Sequence, residues 1–225
     1  MCSGLGWKVR GANVTLKLDM AKAYDRVSWC FVIHVMRRFG FREQWIDMIW
    51  RLISSCHFSV LVNRKPCRFF RSSRGLRQGD PQSPALFIIA VEVLSRGLNA
   101  LVGNRQFSSY LVARGCPPLT YLVYSDKIII FCNGTTRSLT CVMDVRDKYQ
   151  KNSGQLVNAS KNCFWVGKKV SIARRRVISR VTSFFAKDLP ITYLDCPLYV
   201  RRQVKGLFTG LLDKVSQRLM AWRDW

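Results

Sequence analysis

The chain has 225 residues, an apolar fraction of 48%, and 37 Lys and Arg against 13 Asp and Glu, which gives a formal net charge of +24. This length and apolar content are typical of one large folded domain, or one and a half, and they exclude a disordered chain. The excess positive charge is spread along the sequence and favours a polyanionic partner, nucleic acid first. A basic ribosomal-type surface and an arbitrary translated frame are the alternatives that composition leaves open.

Signals for export, membrane insertion or zinc binding are weak in this sequence. No uninterrupted apolar run approaches the ~20 residues of a membrane span, and residues 1–14 contain no long apolar core of a signal peptide. The nine cysteines form no C-x-x-C pair, and only two histidines accompany them, which argues against a zinc site. We therefore expect free thiols in an intracellular, reducing compartment, the nucleus or the cytoplasm, and no membrane association.

Predicted strands and helices alternate along the chain. In order, the patterns predict a strand that begins at residue 13 and ends near Asp19, helices over 29–40 and 43–54, two strands over 57–70 that turn at Lys65 and Pro66, a helix over 85–101, a hairpin over 121–134, and helices over 138–154 and 206–225. Because the predicted strands meet at hairpins, we expect an α+β fold with an antiparallel sheet.

The first candidate functional residue is Asp19 in "KLDMAKAYDRVSW". It follows the first predicted strand, so its carboxylate either points outward from a rigid strand end or caps a following helix. The segment alone leaves both interpretations open.

The second candidate is the loop "RGLRQGDPQSP", which contains Arg77, Gln78 and Gly79 ahead of a Pro-bounded helix. Glycine allows a backbone to approach a ligand closely, and arginine together with helix N-terminal amides suits phosphate. A solvated cationic loop is the alternative.

The third candidate is the hairpin "YLVYSDKIIIF", with Asp126 and Lys127 at its tip. It is either an ordinary surface turn or an active-site hairpin that has lost one of two acids. Two acids at separate strand ends of a basic chain indicate a divalent metal held against phosphate. Mg²⁺ prefers one or two carboxylates plus substrate phosphates, and two such ions stabilise the attacking and leaving oxygens of a phosphoryl transfer.

Five segments resemble, in the right order and over nearly the whole chain, motifs A to E of the reverse transcriptase of plant non-LTR (LINE-type) retrotransposons. Five ordered motifs are far more specific than any single one. The segments are "KLDMAKAYDRVSW" (motif A), "SSRGLRQGDPQSPALF" (B), "YLVYSDKIIIF" (C), "SGQLVNASKN" (D) and "ITYLDCPLYV" (E), and "DKVSQRLMAW" is similar to the start of the thumb.

The resemblance implies a right-hand polymerase palm over residues 1–190, with motif E and the beginning of a helical thumb over 191–225. It implies RNA-directed DNA synthesis with two Mg²⁺ ions, an RNA template, a DNA primer and deoxynucleoside triphosphates. The implied roles are metal ligands for Asp19 and Asp126, a steric gate for Tyr24, nucleotide binding for Arg77, Gln78 and Gly79, protonation of pyrophosphate for Lys161, and the primer grip for Leu194 and Pro197.

The chain also departs from the family pattern. Lys127 replaces the second acid of motif C, Asp195 replaces the glycine of motif E, and Gln82 stands where leucine is usual. Arg64 and Arg68 stand where small residues or glycine are usual. Segments resembling the fingers, the endonuclease and RNase H are not seen in these 225 residues. We therefore expect a truncated element with impaired or lost activity. A non-catalytic basic module that binds RNA or DNA, and a pseudogene product, are the alternatives.

Overall fold

The computed structural model of the chain describes residues 13–112, 114–189, 191–194, 196–198, 206 and 208–223. The described residues fall into two compact units, the first ending at Phe185 and the second beginning at Ala186. The helices of the first unit are α1 (Ala23–Arg26), α2 (Trp29–Arg38), α3 (Glu43–Ser54), α4 (Ser83–Ala100) with a short 3₁₀ turn (Leu101–Gly103), α5 (Thr136–Ser153) and α6 (Ile172–Thr182).

The strands of the first unit are β1 (Asn13–Asp19), β2 (His57–Val62), β3 (Lys65–Arg71), β4 (Tyr121–Tyr124), β5 (Lys127–Asn133) and β6 (Cys163–Val166), and β7 (Phe185–Ala186) lies at the junction of the units. The second unit contains β8 (Ile191–Tyr193), β9 (Cys196–Leu198) and α7 (Thr209–Arg223).

A five-stranded sheet in the order β4-β5-β1-β6-β7 forms the centre of the first unit. β1 pairs antiparallel with both β5 and β6. Alternate residues of β1 (Val14, Leu16 and Leu18) are fully buried in one core with Ile128 and Ile130 of β5, as expected where one face of a sheet packs on helices. The predicted α+β fold with an antiparallel sheet is confirmed.

Helix α4 belongs to this core although its composition is unusually apolar. With the turn that follows, Ser83–Gly103 is a segment of 21 residues with a mean hydropathy of 1.8, so by length and composition alone it reaches what a membrane span needs. The uninterrupted apolar runs of the sequence did not suggest this. However, 44% of the segment is buried inside the protein, Leu86, Ala90 and Leu94 lie in the core, and the helix contacts α2, α5 and β4. These contacts are those of a core helix.

The predicted elements agree with the structure most closely where the pattern is long. The helix predicted over 43–54 is α3, and the helix predicted from Ser28 is α2, whose first turn Ser28 caps by accepting a hydrogen bond from the Phe31 amide at 3.4 Å. The turn predicted at Lys65 and Pro66 lies instead at Asn63 and Arg64, because both of these residues have positive φ values, 49° and 65°, as a two-residue type I′ hairpin turn requires.

Candidate active-site cleft

Asp19 is the last residue of β1, and backbone and side-chain hydrogen bonds fix its position. Its amide donates to Asn162 Oδ1 at 3.0 Å, and its carbonyl accepts from the Asn158 amide at 2.7 Å. The residue is only 7% exposed. The N-cap position of the next helix is taken by Lys22, without a side-chain hydrogen bond. The capping interpretation of Asp19 is therefore wrong, and its carboxylate stands at a strand end.

The hairpin of β4 and β5 brings Asp126 to the same place. Its two turn residues are Ser125 and Asp126, and Ser125 has a φ of 52°. This conformation favours glycine, and where residues other than glycine adopt it they cluster at functional sites. The Met20 amide donates to the Asp126 carbonyl at 2.9 Å. This bond ties the tip of the hairpin to the residue that follows Asp19.

One cleft of about 990 Å³ gathers most of the predicted catalytic and nucleotide-binding residues. Those that line it are Asp19, Tyr24, Gln78, Gly79, Asp126 and Lys161. They come from four separate segments of the chain, and β1, the hairpin and the N-terminal end of α4 bring them together. Both predicted metal-binding acids thus face the same space.

Tyr24 and Gly79 form different parts of the cleft wall. The ring of Tyr24 stacks on Phe87 of α4, with ring centroids 4.8 Å apart, and is therefore held by the core. Gly79 has a φ of +88° and no atom within 4 Å of the place where a Cβ would stand. The backbone at Gly79 is open to a ligand, as expected for a glycine in a binding loop.

Two lysines lie beside Asp19. Lys161 Nζ is 3.8 Å from Asp19 Oδ1, with the lysine side chain 64% exposed and that of the aspartate 10% exposed. Lys127 is the register partner of Asp19 across β1 and β5, which places their side chains on one face with Cβ atoms about 4.5–5.5 Å apart. Lys127 therefore carries its positive charge on the same side of the sheet as Asp19.

The carboxylates present still fit a magnesium site. Two carboxylates completed by substrate phosphates are a common Mg²⁺ environment. Within the part of the chain that the structure describes, no cluster of three or more His, Cys, Asp or Glu residues suitable for a metal occurs. A site here would therefore rest on Asp19 and Asp126 together with the substrate.

The remaining predicted site residues lie elsewhere. Arg77 faces a neighbouring groove of about 540 Å³, where its guanidinium donates to Cys56 Sγ. Leu194, 38% exposed, lies at the turn of the β8–β9 hairpin in the second unit, and Pro197 lies in β9. Asp195 is outside the described residues.

Asn158 and Asn162 are the residues that sequence reasoning missed. Both lie in the segment that resembles motif D, and Asn162 is 3% exposed. β1 and β6 pair only as far as Lys17 and Cys163, so the Asn162 side chain continues the ladder at Asp19. A polar residue directly before a short apolar strand was the available signal.

We expect Asn162→Ala to lower the free energy of unfolding by about 1–3 kcal/mol, because the buried Asp19 amide loses its acceptor. Urea denaturation of the two proteins measures this difference. Asn152→Ala is the matched control, since Asn152 is exposed and bonds only within its own helix, and it should change stability by less than about 0.5 kcal/mol. Equal losses for the two variants would contradict the role of Asn162.

A match to a known protein family assigns the chain to that family. Residues 4–198 match the family of reverse transcriptases (RNA-dependent DNA polymerases). The chain belongs to this reverse transcriptase family. It is 25% identical over 177 residues to a retrovirus-related Pol polyprotein from a type-2 retrotransposable element of Drosophila melanogaster. That match covers 79% of this chain but 16% of the relative, so the chain spans a small part of the relative's length.

Two further likenesses concern an uncharacterized protein and a solved structure. An uncharacterized mitochondrial protein of Arabidopsis thaliana is 38% identical over 73 residues, which cover 32% of this chain and 60% of that protein. The solved structure of apo telomerase from Candida tropicalis, truncated from its C-terminal domain, matches with a TM-score of 0.54 at 19% identity, covering 73% of this chain and 32% of that one. The fold is therefore that of a polymerase palm, as predicted, and the reverse transcriptase domain is homologous to Pol proteins of non-LTR retrotransposons.

Proposed function

We propose that this reverse transcriptase domain is the palm of an RNA-directed DNA polymerase from a plant LINE-type element. Its reaction would extend a DNA primer on an RNA template with deoxynucleoside triphosphates. The observation that carries the proposal is the cleft that Asp19 and Asp126 both line. Under this proposal the palm occupies residues 1–190, and residues 191–225 hold motif E and the start of the thumb.

In the proposed reaction, the primer 3′-hydroxyl releases its proton to solvent and its oxygen forms a bond to the α-phosphorus of the triphosphate, while the bond between that phosphorus and pyrophosphate breaks. Two Mg²⁺ ions, when bound, supply charge that stabilises the attacking and leaving oxygens. Asp19 and Asp126 would hold these ions, because carboxylates are the ligands that Mg²⁺ prefers.

The other cleft residues would position the substrate. The Tyr24 ring, backed by Phe87, presents a fixed wall against a 2′-hydroxyl. The Gln78 side chain donates to Asp25 at 3.3 Å and is thereby oriented beside the open backbone of Gly79. Lys161 is exposed enough to reach a leaving pyrophosphate and donate a proton to it. Leu194 and Pro197 would contact the primer.

A specific observation favours a second candidate function. Lys127 faces the same side of the sheet as Asp19, and Lys161 lies 3.8 Å from its carboxylate. The Lys161 ammonium group in the cleft, together with the Lys127 charge on the same side of the sheet, favours a site that binds nucleic-acid phosphates without catalysis. Either activity would be exerted inside the cell, in the nucleus or the cytoplasm.

Extension of a labelled DNA primer on an RNA template, with Mg²⁺ or with EDTA, separates the two candidates. Extension that requires Mg²⁺ and that Asp126→Asn abolishes supports the polymerase. Extension that survives Asp126→Asn would place the reaction outside this cleft. RNA binding without any extension, even after the acid at position 127 is restored, supports the non-catalytic module.

We expect binding to nucleic acid to depend steeply on salt and weakly on sequence, because the chain carries a net charge of +24. If six or more phosphates are contacted, affinity should fall by about a thousandfold or more between ~50 and ~200 mM salt. Fluorescence anisotropy with labelled RNAs of unrelated sequence, titrated in KCl, gives the slope. A neutral osmolyte at matched osmolarity is the control. Affinity that is insensitive to KCl would contradict the electrostatic origin of binding.

A further inference from the structure

The β2–β3 hairpin is an exposed basic element outside the cleft. Every residue of β3 is exposed, and in β2 only Ser59 is partly buried. From His57 to Arg74 the sequence contains no acid. The basic side chains of the hairpin and the loop that follows it are Arg64, Lys65, Arg68, Arg71 and Arg74.

Two of these arginines occupy backbone positions that favour glycine. Arg64 has a φ of 65° in the two-residue turn, and Arg68 has a φ of 55°. Arg68 is the extra residue where the register shifts between Ser59 and Val60. Glycine is the usual residue at the second position of a type I′ turn and in left-handed bulges. Residues other than glycine that adopt such backbone conformations cluster at ligand-binding and active sites.

Aromatic rings lie between these cations. Phe58 and Phe70 are register partners, with ring centroids 6.0 Å apart and 37% and 52% exposed. Both line the groove of about 540 Å³ that also contains Arg74 and Arg77. The groove also contains the acids Asp25 and Asp80, so the excess positive charge lies on the hairpin beside it. Basic surfaces with exposed aromatic rings are typical of sites that bind single-stranded nucleic acid, because every base can stack on a ring.

The groove and the catalytic cleft adjoin each other. Gln78, Asp80 and Ser83, from the loop before α4 and its first residue, line both. A strand that leaves the cleft past this loop therefore enters the groove directly and then meets the hairpin.

We propose that the β2–β3 hairpin and its groove form a binding surface for single-stranded RNA. Arg64 and Arg68 contact phosphates, and Phe58 and Phe70 offer a face on which an unpaired base stacks. The choice of RNA rests on the proposed polymerase function. The requirement for a single strand rests on the rings, which stack only with bases that are not already stacked in a duplex.

The decisive variant is Arg64→Gly with Arg68→Gly, because a structural role and a binding role predict opposite results. Glycine relieves the left-handed conformations, so the Tm should stay unchanged or rise, by roughly 2–4 °C for each conformation relieved. Affinity for a labelled oligouridine RNA should fall by about tenfold at ~100 mM salt. The slope of log K against log salt should become shallower by roughly 1.4, because each phosphate contact to a single strand contributes about 0.7.

The matched control is Arg176→Gln with Arg180→Gln on α6, where both arginines are exposed. It removes the same charge from another surface and should leave the affinity within about twofold. A second pair tests the rings: Phe70→Ala should weaken RNA binding by about tenfold, and Phe69→Ala, on the opposite face of β3 and 72% exposed, should not.

Four outcomes would overturn the proposal. The first is a higher Tm with unchanged affinity, which would make the hairpin a strained turn and nothing more. The second is an equal loss of affinity in the α6 control, the third is duplex DNA bound as tightly as the RNA, and the fourth is equal effects of the two phenylalanine variants. Binding is measured without triphosphates or Mg²⁺, so the assay does not require the polymerase reaction. The RNA-binding result can therefore be interpreted even if the protein does not catalyse primer extension.

Discussion

Replacing Phe164 with alanine is expected to lower the free energy of unfolding by about 3–5 kcal/mol. Phe164 is fully buried in β6, and its register partner is Leu16 of β1, which is also fully buried. The substitution leaves a cavity beneath the strand that ends at Asp19. Urea denaturation followed by tryptophan fluorescence gives the free energy, and the Tm should fall by roughly 10 °C.

Phe69→Ala is the control for Phe164→Ala, because Phe69 is 72% exposed. It removes the same atoms and should cost less than about 0.5 kcal/mol. If the two substitutions destabilised the protein equally, β6 would not be a core strand. The sheet that supports the cleft would then be assembled differently from the order found here.

Strand β6 also illustrates what the sequence could not predict. It has four residues, Cys163–Val166, and no polar–apolar alternation, so only its pairing with β1 identifies it as a strand. Helix α6 was missed because it contains only two fully buried residues, Ile178 and Thr182, among several arginines. Helix α3, in contrast, has apolar residues at helical spacing over twelve residues, and its bounds were predicted correctly.

The cleft-lining residues at the ends of strands could be predicted from the sequence, and those within loops were harder to predict. Asp19 and Asp126 follow directly from strand ends. Arg77 and Gln78 are adjacent in the loop, yet only Gln78 lines the cleft, because consecutive loop residues point in different directions. The hydrogen bond that fixes Asp19 joins residues 143 positions apart, Asp19 and Asn162. Pairing over such a distance is decided by tertiary packing, so the polar residue before the short strand does not by itself indicate Asp19 as its partner.

Under the proposed polymerase function, Lys127→Asp is expected to raise Mg²⁺-dependent primer extension at least tenfold above that of the unaltered chain. Lys127 is the register partner of Asp19, and the exchange replaces a positive by a negative charge. Two unit charges ~6 Å apart interact by roughly 3 kcal/mol at an effective dielectric of ~20. A lysine that turns toward solvent loses part of this effect, and each 1.4 kcal/mol corresponds to about a tenfold change in rate.

The assay measures steady-state extension of a labelled primer, first with the chain alone and then with a fusion that carries the fingers of a related reverse transcriptase. The fusion matters because orientation of the triphosphate itself contributes several kcal/mol to such a reaction. The gain from Lys127→Asp should therefore be larger in the fusion. In both proteins Asp126→Asn, added to Lys127→Asp, should return extension to background, since one of the two carboxylates proposed to hold Mg²⁺ is then missing.

Lys22→Asp is the matched control for the charge. Lys22 lines the cleft, and its φ of 48° suits aspartate, but it is not a register partner of Asp19. A gain at Lys127 that Lys22→Asp does not reproduce assigns the effect to the position beside Asp19 and not to the net charge of the cleft. Strong extension by the unaltered fusion would mean that Lys127 does not obstruct the ions. No gain from Lys127→Asp in the fusion would mean that Lys127 is not what prevents primer extension. The non-catalytic function would then be favoured, because the cleft would remain inactive even with an acid at position 127.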